Sequence, residues 1–151
     1  MEIKEAIGQS KPFRNSRHKV IVNVLFSHNW LIAQLRAFFK PFDITEKQYN
    51  ILRILNGAGG PISTSTIRNR LLDKMSDTTR VIDRMIKKGL VQKSINESDR
   101  RLVNITLSPK GKKLLDHVDT HMANLDNIVD ALAPDQADTL SELLDNMRGK
   151  Q

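Results

Sequence analysis

Between Gly89 and Pro109 the hydrophobic pattern of this chain changes period twice, and that change limits the fold more than any other feature. Upstream, apolar residues recur every three or four positions, as amphipathic helices require. Leu90-Val91-Gln92-Lys93-Ser94-Ile95 and Leu102-Val103-Asn104-Ile105-Thr106-Leu107 read instead as two strands, with Asn96-Glu97-Ser98-Asp99 as the turn. Downstream the helical period returns. The chain is therefore expected to be mainly α with one small β-hairpin.

Caps and breakers place the helices. From about Arg17 to Lys40, the residues Ile21, Leu25, His28, Ile32, Leu35 and Phe39 fall at helical spacing, and Val20, Val24, Leu31 and Phe38 widen the stripe. That helix is long for 151 residues, and its apolar face is broad enough to serve a second partner. Pro41 ends it. Thr45 and Gln48 predict a capping box for the next helix, which runs through Tyr49, Ile51, Leu52 and Leu55 to a breaker at 56–61. Ser63 is the expected N-cap of a short helix with Ile67, Leu71 and Leu72 inward. After a turn at Asp73-Lys74, Ser76 is the expected N-cap of a helix to about Lys88, stopped by Gly89. Ser108 and Pro109 open a further long helix with Leu114, Leu115, Val118, Met122, Leu125, Val129 and Leu132 on its inner face. Pro134 starts a last one through Leu140, Leu143, Leu144 and Met147. Residues 1–16 are polar and, with Pro12, are expected to be irregular.

Two short helices joined by a tight turn and followed directly by a hairpin predict a winged helix-turn-helix. A major groove admits one helix, and a hairpin can reach the neighbouring minor groove. On the second helix Val81, Ile82, Met85 and Ile86 fall to one side, and Ser76, Arg80, Arg84 and Lys87 near the other. Hydroxyls and long cations behind a helix N-terminus suit phosphates and base edges. At the hairpin tip Arg100 and Arg101 stand beside Asp99, where a charge-assisted pair can orient Arg101 toward a narrow minor groove. Charge agrees with this placement. Residues 63–113 carry 13 Lys/Arg against 5 Asp/Glu (+8), whereas residues 114–151 carry 2 against 8 (−6). One surface therefore suits a polyanion, although a solvated basic face would have the same composition.

The run from Asp73 through Ser76, Thr79, Arg80 and Arg84 to Lys88-Gly89-Leu90-Val91 resembles the recognition helix of MarR-type regulators. Asp99-Arg100-Arg101, followed by Asn104-Ile105-Thr106-Leu107-Ser108-Pro109-Lys110-Gly111, resembles that family's wing and exit. The resemblance implies a homodimeric repressor or activator on a pseudo-palindromic operator. Residues 1–151 would then form a single domain, with dimerisation helices at 1–40 and 114–151 and a DNA-binding lobe at 45–111. It also implies groove contacts by Ser76, Thr79 and Arg80, a wing acid at Asp99 and a minor-groove arginine at Arg101. Ser63, Arg84, Lys87 and Arg100 complete the candidate DNA-binding set. Arg68 departs from the family pattern, which more often has a small residue there. Effector pockets in this family lie where the dimer helices meet the DNA-binding lobe, which makes His28 a candidate ligand-binding residue.

Other chemistry finds little support. His117 and His121 have the spacing of two metal ligands on one helix, but lack an HExxH or carboxylate-rich setting and read better as solvated or capping residues. With no cysteine, thiol redox sensing is excluded, and no cofactor or metal is expected. No nucleophile–base motif or phosphate loop marks an enzyme. The competing reading is a winged-helix module that docks an acidic protein partner, for which the hydroxyl-rich helix and the Asp-Arg-Arg wing would not be needed. No apolar run approaches the roughly 18 residues of a membrane span, and the N-terminus lacks a secretory h-region, so a cytoplasmic location is expected.

Overall fold

The computed structural model describes residues 1–149. Helices α1 (Ile3–Ala6) and α2 (Ser16–Phe39) lead through a 3-10 turn at Lys40–Phe42 to α3 (Glu46–Ala58). Next come β1 (Ile62–Ser63), α4 (Thr64–Arg70), α5 (Thr78–Lys87), β2 (Val91–Ile95) and β3 (Val103–Leu107). The described chain closes with α6 (Pro109–Asp119), α7 (Met122–Asp126), a 3-10 turn at Asn127–Val129 and α8 (Pro134–Arg148). Among the described residues no helix is long and apolar enough to cross a membrane.

Short-range chemistry accounts for most of the boundaries. The Thr45 hydroxyl accepts the Gln48 N–H at 3.1 Å, and the Gln48 carboxamide oxygen accepts the Thr45 N–H at 3.1 Å, so the expected capping box forms. Ser63 caps α4 by accepting the Thr66 N–H. Gly89 ends the segment after α5 at φ +72°, a left-handed conformation that only glycine adopts without strain.

The core lies under the hairpin. Ile51, Leu52 and Leu55 of α3 meet Ile67, Ile82, Met85, Val91 and Ile105, with Leu115 and Val118 of α6 closing one side and Phe39 of α2 another. Full burial of each such side chain contributes about 1.5–3 kcal/mol. The hairpin pairs Val91 with Leu107 through Ile95 with Val103. Ser108 locks its base, donating to the Gly89 carbonyl at 2.6 Å and accepting the Gly111 N–H at 2.9 Å. Gly111 is buried so tightly there that an added Cβ would collide with the Leu90 carbonyl oxygen and sit 2.9 Å from Leu107 Cδ1.

Five features differ from expectation. A third strand, β1, pairs with β3 through Ile62–Ile105 and Ser63–Asn104; two residues are too few to show a period. Residues 1–16 include the one-turn helix α1, whose Ile3 is buried. Asp77, not Ser76, caps α5, because the Ser76 hydroxyl donates to the Asp73 carbonyl instead. Leu72 points outward and is 90% exposed: α4 stops at Arg70, Leu71 takes the inward position, and the Leu72 N–H is held by Asn50. The long helix after Ser108 breaks at Thr120-His121. There the Thr120 hydroxyl donates to the His117 carbonyl at 2.7 Å and the backbone tightens to His121 N–H bonding Val118 O.

Candidate nucleic-acid interface

The α4–α5 turn is fixed before any ligand arrives. Lys47 of α3 pairs with Asp73 at 2.9 Å, and Asp73 also accepts the Met75 N–H at 3.0 Å. The hydrogen bond from Lys47, reinforced by backbone donors, holds the Asp73 carboxyl below the usual carboxylate range. At the far end of α5, Lys88 bonds the backbone carbonyl of Asp43 and pairs with its carboxylate at 3.1 Å. Lys110 donates to the Lys88 carbonyl at 2.7 Å. Both ends of the helix are therefore tied to elements distant in sequence.

Between these ties α5 buries Thr78, Ile82 and Met85 and leaves Thr79, Arg80, Asp83, Arg84 and Lys87 exposed. Arg80, Arg84 and Lys87 line one wall of an open cleft of about 930 Å³. Arg36 and Lys40 at the end of α2, with Asp43 to Gln48 leading into α3, line the other. The cations outnumber the anions, so the cleft attracts negative charge.

The wing tip is shaped by two side-chain oxygens. Asn96 Oδ1 accepts the N–H groups of Ser98 and Asp99 at 2.8 and 3.1 Å, and Asp99 Oδ1 accepts the Arg101 N–H at 2.9 Å. Asp99 thus holds Arg101 by its backbone and not by its guanidinium as expected. No ion pair between the two side chains occurs among the described residues. Arg100 and Arg101 are exposed beside it.

The remaining candidates fall in different settings. Thr79, Arg80, Arg84 and Lys87 share the exposed face of α5. Ser76 is half-buried in the turn, and Ser63 is occupied as a cap, with its hydroxyl also 2.8 Å from that of Ser65. His28 is exposed midway along α2 and does not line the cleft. His117 and His121 place their rings 5.1 Å apart, and both contact Phe42 edge-on. Arg68 is exposed. Sequence reasoning missed Asp77, which caps α5 through the Arg80 N–H and lies 3.5 Å from Arg80 Nε. The available signal was an N-cap residue three positions before an arginine.

Comparison with known proteins agrees with this geometry. Residues 44–103 match the MarR family model. The chain is 27% identical to the HTH-type transcriptional regulator PecS of Dickeya dadantii over 95% of its own length and 91% of that protein's. It shares its fold with an organohalide-sensing transcriptional regulator solved in a 2,4-dichlorophenol-bound form, at a TM-score of 0.81 and 19% identity over 93% of this chain and 86% of that one. A cysteine-to-serine mutant of MarR from E. coli, solved with operator DNA, superposes at a TM-score of 0.76 and 21% identity, covering 89% of this chain and 96% of that one. Residues 44–103 thus carry a match to the MarR family model, within a winged fold that solved MarR-type regulators share.

Proposed function

We propose that this chain is a homodimeric, sequence-specific repressor in the cytoplasm that binds a pseudo-palindromic operator and is released by a small-molecule effector. The observation that carries the reading is the exposed face of α5, where Thr79, Arg80, Arg84 and Lys87 stand clear of the core between two tied helix ends, beside a wing tipped by Arg100 and Arg101. In this reading residues 45–111 form the DNA-binding lobe, and residues 1–40 and 114–151 the dimerisation helices of a single domain. Two copies related by a two-fold axis would place their α5 helices in successive major grooves, about 34–36 Å apart. The operator-bound MarR neighbour supports this docking.

For the effector, the cleft between the end of α2, the start of α3 and α5 fits better than the surroundings of His28. A ligand there would touch the elements that set the position of α5. The chlorophenol-bound neighbour supports an effector of that general kind.

Selection from a random duplex pool with the full chain tests the function. The expected result is enrichment of an inverted repeat whose half-sites lie one helical turn apart. A pool that remains random after selection overturns the reading.

A further inference from the structure

We propose that Asp77 is a positioning residue for Arg80 during base reading, and that its charge also disfavours duplexes of the wrong sequence. The inference rests on the function proposed above, in which α5 reads the major groove.

The two carboxylate oxygens of Asp77 have separate tasks. Oδ1 caps the helix by accepting the Arg80 backbone N–H at 3.2 Å. Oδ2 lies 3.5 Å from Arg80 Nε, the inner nitrogen of the guanidinium. Engagement at Nε leaves both terminal nitrogens free, and those two form the side-by-side contact with guanine O6 and N7. One residue therefore fixes the start of the helix and biases the direction of its first long cation. The pair is open to water, with side chains 72% and 61% exposed, so it is weak and screened. It biases the Arg80 rotamer without holding the side chain away from DNA.

Asp77 acts in the opposite sense on a phosphate. The N-terminus of a helix attracts any anion, whatever the base sequence. A carboxylate standing there offsets that attraction and repels the backbone of a misplaced duplex. Correct and incorrect DNA are thus treated differently by one side chain.

The Asp77→Asn variant separates these roles, because asparagine caps a helix as well as aspartate does but carries no charge. Binding of the full chain is titrated against the duplex that the parent enriches from a random pool, and against a scrambled duplex of equal length. Affinity for the enriched duplex should fall about two- to fivefold, the upper range for an exposed pair that orients a bidentate contact. Affinity for the scrambled duplex should rise, so the ratio between the two falls further. Asp77→Ser, a second uncharged cap, should behave in the same way, and both variants should unfold at the parent's temperature. In an Arg80→Ala background, Asp77→Asn should leave affinity for the enriched duplex no lower.

Several outcomes overturn the proposal. An unchanged ratio with both affinities unchanged reduces Asp77 to a cap, and an equal rise in both reduces it to bulk charge. A fall in specific affinity that persists without Arg80 breaks the link between the two residues. Failure to enrich any duplex overturns the proposed function together with this inference, whereas enrichment with an unchanged ratio overturns the inference alone.

Discussion

Asp99 is an acid on the surface proposed to meet a polyanion, and its hydrogen bond explains why it is tolerated there. Its carboxylate is spent on the Arg101 N–H, so the charge closes the wing turn from inside. Arg101→Ala should weaken binding most at operators with A/T-rich flanks and should flatten the salt dependence, because it removes one cation from a narrow groove. Asp99→Ala should also weaken binding, by roughly fivefold for the loss of one hydrogen bond of about 1 kcal/mol, although it removes a negative charge. Asp99→Asn keeps an acceptor oxygen and should bind at least as tightly as the parent. Titration of the three variants at several salt concentrations checks this, and an Asp99→Ala protein that binds like the parent would contradict it. The acid and the arginine were both legible in the sequence. Their bond was not, since residues two positions apart can meet through side chains or through backbone with equal ease.

At the scale of elements, the junction of hairpin and α6 decides how rigidly the wing is held. Ser108 bridges the Gly89 carbonyl and the Gly111 N–H, and the bare Cα of Gly111 lets α6 press on the Leu90 backbone. Gly111→Ala should therefore destabilise the protein, against the usual preference of a helix for alanine, by about 1–3 kcal/mol of overpacking strain. Urea denaturation measures it, and an unchanged or raised midpoint would show that the junction yields. Other elements depended on competition between neighbours. Ser76 and Asp77 are both good caps, and the choice between them is made by the Asp73 carbonyl, which takes the Ser76 hydroxyl. The helical pattern across 114–132 is continuous in the sequence, but the side chains of Thr120 and His121 gather at the His117 carbonyl and break the helix.

For the whole molecule, the unpartnered apolar surface is the dominant fact. Ile21, Leu25, Phe26 and Trp30 of α2 are between 41% and 60% exposed in the single chain, and α8 buries none of its residues while exposing Leu140, Leu143 and Met147. Such surface is costly to leave in water and suits a second copy of the chain. Leu25→Glu and Leu143→Glu should each raise the dimer dissociation constant more than about tenfold, since two-fold symmetry repeats every change. Sedimentation of the parent and both variants tests this, and a monomeric, well-folded parent at micromolar concentration would overturn the dimer.

The local parts of this protein were legible in the sequence alone: the capping box at Thr45 and Gln48, the stop at Gly89, the two hairpin strands and the basic face of α5. These follow from preferences of residues within a turn or two of one another, which period, caps and breakers record directly. What the closed core alone decided is that Leu72 faces water, that Ile62 and Ser63 join the sheet, and that α5 is tied at both ends. Each of those outcomes depends on a partner far along the chain: Asn50 for Leu72, Asn104 and Ile105 for β1, and Asp43 for Lys88, 45 positions away. A local pattern carries no information on which distant group will be within bonding distance, because that is set by how the core closes.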